Sequence, residues 1–119
     1  MDFNEVKEWY VIPFQKFIEF EGRARRKEFW IFAGVNFLIS ILLGILGLDL
    51  ISSLFSLAII IPSIAVGVRR MHDIGKSGWF LLLGLIPLIG WIILIYFYAK
   101  EGDAGPNQYG PNPKSFASV

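Results

Sequence analysis

Arg69-Arg70-Met71-His72-Asp73-Ile74-Gly75-Lys76-Ser77-Gly78-Trp79 is the stretch that decides the fold. It gathers two Arg, a Lys, an Asp and the only His of the chain. Residues 50–68 before it carry no charge, and neither do residues 77–99 at and beyond its end. Working outward, residues 29–48 form a third uncharged run. The three runs are 20, 19 and 23 residues long. A helix needs about 20 mostly apolar residues to cross ~30 Å of hydrocarbon. Hydrophobic residues make up 55% of the 119-residue chain and charged ones 18%. Too few polar side chains remain to coat a soluble helical body, so the polar stretch reads as a short loop at a membrane surface.

The expected architecture is an all-α polytopic membrane protein in one domain, residues 1–119. Three transmembrane helices are placed at 28–46, 50–68 and 79–99, the first two joined as a tight hairpin. An N-terminal amphipathic interfacial helix over 3–20 precedes them, and an irregular tail over 100–119 follows. Phe3, Val6, Tyr10, Phe14 and Phe17 recur at helical spacing on one face, suited to lie at head-group depth or to pack on the bundle. Pro13 removes a hydrogen bond, so a break is expected near Ile12. No apolar leader precedes Phe29, and the first span is read as an uncleaved signal anchor.

Charge sets the threading. Arg23, Arg25, Arg26 and Lys27 stand directly before the first span, and Arg69 and Arg70 directly after the second. Short flanks rich in Lys and Arg stay cytoplasmic. The N-terminus is therefore expected inside, and an odd number of spans puts the tail on the opposite side. Gly47 is suited to end the first span and Asp49 to cap the second. In the third span, Pro87 and Gly90 allow a kink. A re-entrant pair is the competing reading, although residues 79–86 as a helix reach only about 12 Å. Asn36 and Ser40 share one face of the first span and should meet another helix, because an unpartnered amide in hydrocarbon costs several kcal/mol. Ser40 and Gly44 form a small-xxx-small pair suited to close approach.

Three motifs recur in this order: Gly22-Arg23-Ala24-Arg25-Arg26-Lys27-Glu28-Phe29-Trp30; Arg69 to Asp73 with Ser77-Gly78-Trp79; and Asn107-Gln108-Tyr109-Gly110-Pro111-Asn112-Pro113. With them the chain resembles the domain of unknown function 805 family, small bacterial inner-membrane proteins of the YhaH/YhaI type, over about residues 14–113. That family often carries Arg where Gln108 stands. The resemblance implies a bacterial inner-membrane location and a fold type, and no activity.

No enzyme signature appears. There is no cysteine, which excludes thiolate chemistry. His72 is the only histidine, too few ligands for a metal site. Ser77, His72 and Asp73 are too close in sequence to form a catalytic triad. A net charge of +1 without a basic stripe excludes nucleic acid as a partner. No cofactor is expected. The leading reading is a binding or assembly module. Its Arg23, Arg25, Arg26, Arg69, Arg70 and Lys76 gather at one face around an anionic lipid head group or a partner protein, with Trp79 setting the depth. A structural ion pair joins Arg69 and Asp73 at i, i+4. The alternative is a subunit of an oligomeric transport or pore complex, which the absence of a mid-span ionisable group disfavours. Membrane lipids, a protein partner or a second copy are the expected partners.

Overall fold

The computed structural model describes residues 2–113, and every regular element among them is helical. In order these are α1 (Phe3–Gln15), α2 (Arg26–Ile45), α3 (Asp49–Asp73), a 3-10 helix (Gly78–Leu85) and α4 (Ile89–Ala99). The rest of the expected tail, including Lys114, lies outside the described residues. α2 and α3 are long and apolar enough to cross a membrane, while α4 is apolar but short.

Asp2 caps α1 by accepting from the Glu5 amide at 2.9 Å, which satisfies one of the orphan donors of a helix start. The expected break at Ile12 is absent: the helix runs to Gln15 with Pro13 inside it. Pro13 falls in the last turn, where its missing N–H costs one bond near an end that frays anyway. Tyr10 and Phe14 lie against Phe32 of α2, with ring centroids 5.6 and 5.3 Å apart. Trp9 and Pro13 are buried, whereas Phe3 and Phe17 are exposed. α1 therefore packs its middle on the bundle.

Both turns that follow α2 and α3 close in the same way. After α2, Gly47 takes φ 69° and donates to the Gly44 carbonyl, while Leu48 donates to Leu43. After α3, Gly75 takes φ 77° and donates to His72, while Lys76 donates to Met71. These are Schellman closures, which need a residue free to adopt positive φ. Contrary to the sequence expectation, Asp49 does not cap α3. Leu48 holds that position, and Asp49 is the first helical residue, where its charge favours the positive helix end.

α3 extends past the expected end at Val68 and carries the polar stretch as its last turn and a half. Its C-terminal part, including Ala65, Val66, Met71 and the four polar residues between Arg69 and Asp73, is the buried pillar of the molecule. One apolar cluster on it joins Ala24, Phe32 and Val66, and another joins Met71, Ile74 and Leu94. The distal halves of α2 and α3 leave Phe37, Leu38, Ile41, Leu54 and Leu57 outward. Gly44 faces open space, so the expected small-residue contact at Ser40 and Gly44 does not form within the chain.

The third apolar run is not one helix, which corrects the continuous span expected at 79–99. Pro87 disfavours helix at Ile86, whose ψ is 105°. Leu88 then takes φ 64°, and Ile89 donates to Pro87 at 2.8 Å, a γ-turn of the strained hand. The chain reverses, and Gly90 sits so close to the Leu83 carbonyl that a Cβ would collide with it. Trp91 Nε1 donates back to the Gly84 carbonyl at 2.9 Å. Each arm reaches roughly 16 Å, about half the hydrocarbon thickness.

The tail is also displaced from expectation. Asp103 donates its amide to the Asp73 carbonyl at 2.7 Å, and Asn107 Nδ2 donates to the His72 carbonyl at 2.8 Å. Residues 100–113 thus pack on the same end of α3 as Arg23, not on the opposite end.

Candidate functional site

Asp73 is the centre of the charged end. Arg23 Nε donates to its Oδ1 at 3.0 Å, and Arg70 Nη1 donates to its Oδ2 at 2.9 Å. Arg23 reaches further. Its Nη1 donates to the carbonyls of Gly105 at 2.8 Å and Gly110 at 3.2 Å, and its Nη2 to Asp103 at 2.6 Å and to the Asp73 backbone at 3.2 Å. A planar fork with five donors suits this arrangement of one carboxylate and several carbonyls. Gly102 lies so close to the Asp73 carboxylate that a Cβ there would clash.

Arg70 and Arg26 serve the other edge of the same end. Arg70 Nε donates to the Tyr98 carbonyl at 3.0 Å and Nη2 to that of Lys100, while Arg26 Nη1 donates to Ala99 at 3.2 Å. Both fill the orphan carbonyls at the C-terminus of α4, where the helix dipole favours cations. Arg69 turns to Glu28, with Nη1 and Oε2 at 2.7 Å. The predicted Arg69–Asp73 pair is therefore absent. Glu28 of α2 faces Arg69 across the helix contact, while Arg70 and Arg23 occupy the Asp73 carboxylate. Arg69 Nε and Nη2 are buried with no hydrogen-bond partner among the described residues.

The sequence places the two arginine-bearing segments at one rim, and the structure does bring Arg23 and Arg70 onto a shared carboxylate. Their use differs from expectation. Arg23, Arg69 and Arg70 are buried and directed at protein groups, so no surface remains on them for a head group. Arg25 stands over the Trp9 ring at 5.1 Å. Lys76 lies 5.4 and 5.0 Å from the ring centres of Phe80 and Phe97. Trp79 is exposed. His72 donates from Nδ1 to the Gly22 carbonyl at 2.8 Å and stacks on Tyr109 at 3.8 Å. Glu28, Gly102, Asp103 and Tyr109 complete this end and do not stand out as site residues in the sequence. The third motif, containing Asn107 and Tyr109, was the available signal.

A second polar feature lies farther along α2. Glu28, Phe32, Asn36 and Ser40 share one stripe by their spacing of four. Asn36 is 6% exposed, and its Oδ1 accepts from the Tyr10 hydroxyl at 2.7 Å. Its Nδ2 has no partner among the described residues. Asn36 lines a cavity of about 420 Å³ between α2 and α3, together with Phe32, Phe37, Ser40, Ser63 and Tyr98. The Ser40 and Ser63 side chains make no hydrogen bond among the described residues either. The sequence reading selected Asn36 and Ser40. It missed Ser63 and Tyr98, which come from other segments.

Comparison with known proteins places the sequence in a family. The model of the protein family of unknown function DUF805 matches residues 17–111. Inner membrane protein YhaI of Escherichia coli K12 is 41% identical over 113 residues, covering 90% of this chain and 96% of the relative. Inner membrane protein YhaH of the same strain is 38% identical over 117 residues, covering 90% and 97%. The uncharacterized protein YiiR of that strain is 35% identical over 126 residues, covering 81% and 86%. No solved structure matches.

Proposed function

We propose, for a chain that belongs to the DUF805 family, the role of an inner-membrane binding module that takes its ligand from within the bilayer. In this reading α2 and α3 cross the membrane. The 3-10 helix and α4 dip in from the charged end and return, and the N-terminus and residues 100–113 lie together on the cytoplasmic side. Lys and Arg occur only before residue 28, at residues 69–76 and from residue 100 onward, which suits cytoplasmic retention of all three segments. A reporter fused after Val119 should behave as cytoplasmic. Periplasmic behaviour would refute this threading.

One observation carries the binding role: Asn36, covered by the fold and held through its Oδ1 by Tyr10, makes no hydrogen bond from Nδ2 among the described residues and opens onto a cavity at the level of the apolar helix faces. Buried polar groups are normally hydrogen-bonded, and an exception calls for an explanation. Asn36 is seven residues past Phe29, about 10 Å along the helix, so the donor sits inside the hydrocarbon. Asn36, Ser40, Ser63 and Tyr98 supply hydrogen bonds but no general base, which favours binding over catalysis. Trp79 is exposed at the rim and Lys76, half-buried over the Phe80 and Phe97 rings, keeps one side toward anionic lipid, at about 1 kcal/mol for a basic residue near the surface.

The chain contains no cysteine, so a nitroxide can be attached at Ser40→Cys alone. In nanodiscs its spectrum should respond to dissolved oxygen far more than to a water-soluble nickel chelate. The same label at Glu101→Cys should show the reverse order. A Ser40→Cys label shielded from both, or broadened by a second label in a neighbouring copy, would refute a lipid-accessible cavity.

A further inference from the structure

We infer that the cavity between α2 and α3 binds a neutral, carbonyl-bearing lipophile of the quinone type. This deepens the binding role above and rests on it. Three features select the ligand class. First, Asn36 presents only N–H to the cavity, because Tyr10 occupies its Oδ1 at 2.7 Å; the ligand must offer an acceptor. Second, no cation lines the cavity, so a phosphate or carboxylate would enter uncompensated, at a heavy desolvation cost. Third, Phe32 and Tyr98 line the cavity together with Asn36 and offer ring surface, which suits a flat ring. The volume of about 420 Å³ falls within the ~300–1,000 Å³ typical of small-molecule sites.

Depth separates this ligand from an ordinary phospholipid. The ester carbonyls of a phospholipid stay near the hydrocarbon boundary, whereas Asn36 lies about 10 Å inside it. A free quinone ring carries its carbonyls on an apolar tail and moves through the hydrocarbon. A second copy of the chain fits less well. A two-fold contact at this groove would set one Asn36 donor against the other, with both oxygens already held by Tyr10. Ser40, one turn from Asn36 on α2, and Ser63, facing from α3, line the same groove and are able to donate to a second carbonyl.

The test uses the full chain in nanodiscs and decylubiquinone as the probe. Trp30 donates its indole N–H to the Tyr98 carbonyl at 3.0 Å and stands beside the cavity, so its fluorescence should report binding as a saturable quench. Asn36→Leu should weaken that binding at least fivefold. Ser63→Ala should weaken it about twofold without disturbing the helix contact. Tyr10→Phe should stay within threefold of wild type, since it leaves the donor in place. Decylbenzene, which has the tail and ring without the carbonyls, should not compete. Non-saturable quenching overturns the inference, as does competition by decylbenzene or an equal loss in Tyr10→Phe and Asn36→Leu. If the Ser40→Cys label still reports an open, lipid-accessible groove in that case, the binding role stands and only the ligand class fails.

Discussion

Arg23→Ala should release the tail from the charged end by a measurable amount. Arg23 places three donors on the carbonyls of Asp103, Gly105 and Gly110, and two more on Asp73. Removing one member of a buried ion pair costs about 3–5 kcal/mol. Asp73 keeps Arg70 at 2.9 Å, so the lower end of that range applies. About 3 kcal/mol corresponds to roughly a hundredfold rise in tail opening, at about 1.4 kcal/mol per tenfold. Amide exchange in nanodiscs reads this directly. The amide of Asp103 is bonded to Asp73, and those of Asn107 and Gly110 to each other's carbonyls. Peptides covering residues 102–110 should therefore exchange about a hundredfold faster, while those from the middle of α3 keep their protection. Arg23→Lys keeps the charge but loses the fork and should fall in between, at about tenfold. A folded Arg23→Ala protein whose 102–110 exchange changes less than threefold would refute the clamp.

Two further substitutions probe other parts of the same frame. Glu28→Gln leaves the Arg69 guanidinium 1% exposed without its carboxylate and should cost about 3 kcal/mol of stability. Glu28→Gln with Arg69→Leu should recover most of that loss in thermal unfolding, and a double variant as unstable as the single one would count against the pair. Leu88→Gly should raise stability by about 1 kcal/mol, because glycine adopts positive φ without the penalty Leu88 bears at 64°. A lower unfolding temperature would contradict that strain.

Much of the helical frame was legible because it depends on local chemistry. Gly47 and Gly75 sit where a Schellman closure needs positive φ, and both helix ends follow from them. The runs at 29–48 and 50–68 read directly as the two long helices. Partner choice was less legible, because it is settled by residues distant in sequence. At i, i+3 and i, i+4, Arg70 and Arg69 are equally placed for Asp73. Glu28, 41 residues from Arg69, decides between them. The tail was read as irregular from its glycines and prolines, and irregular it is. What composition does not show is that Gly102 lets the backbone approach the Asp73 carboxylate. Hydropathy was similarly blind at 77–99, since a charge-free run has the same composition whether it is extended as one helix or folded back on itself.

The split of that run and the position of the tail are linked. A continuous helix from Trp79 to Ala99 would be about 30 Å long and would carry Lys100 away from α3 by that distance. Gly78 is held at the other end, beside Val68, where a Cβ would crowd its side chain. Yet Arg70 reaches the Tyr98 carbonyl at 3.0 Å, and Asp103 reaches Asp73 at 2.7 Å. Both ends of the segment are therefore fixed near the last turns of α3, and the chain between them has to reverse. Pro87 and Leu88 make the reversal, and Gly90 permits the arms to touch. The local charges of the tail, Lys100 against Glu101 and Asp103, nearly cancel and carry little topological weight of their own. Its place at this end of α3 follows from Arg23 and Arg70, two arginines whose donors point at carbonyls of residues 98–105. Between residues 29 and 68 only Asp49 is charged, so the hairpin tip joining α2 and α3, like the reversal at Pro87 and Leu88, holds no cation against entry into the membrane.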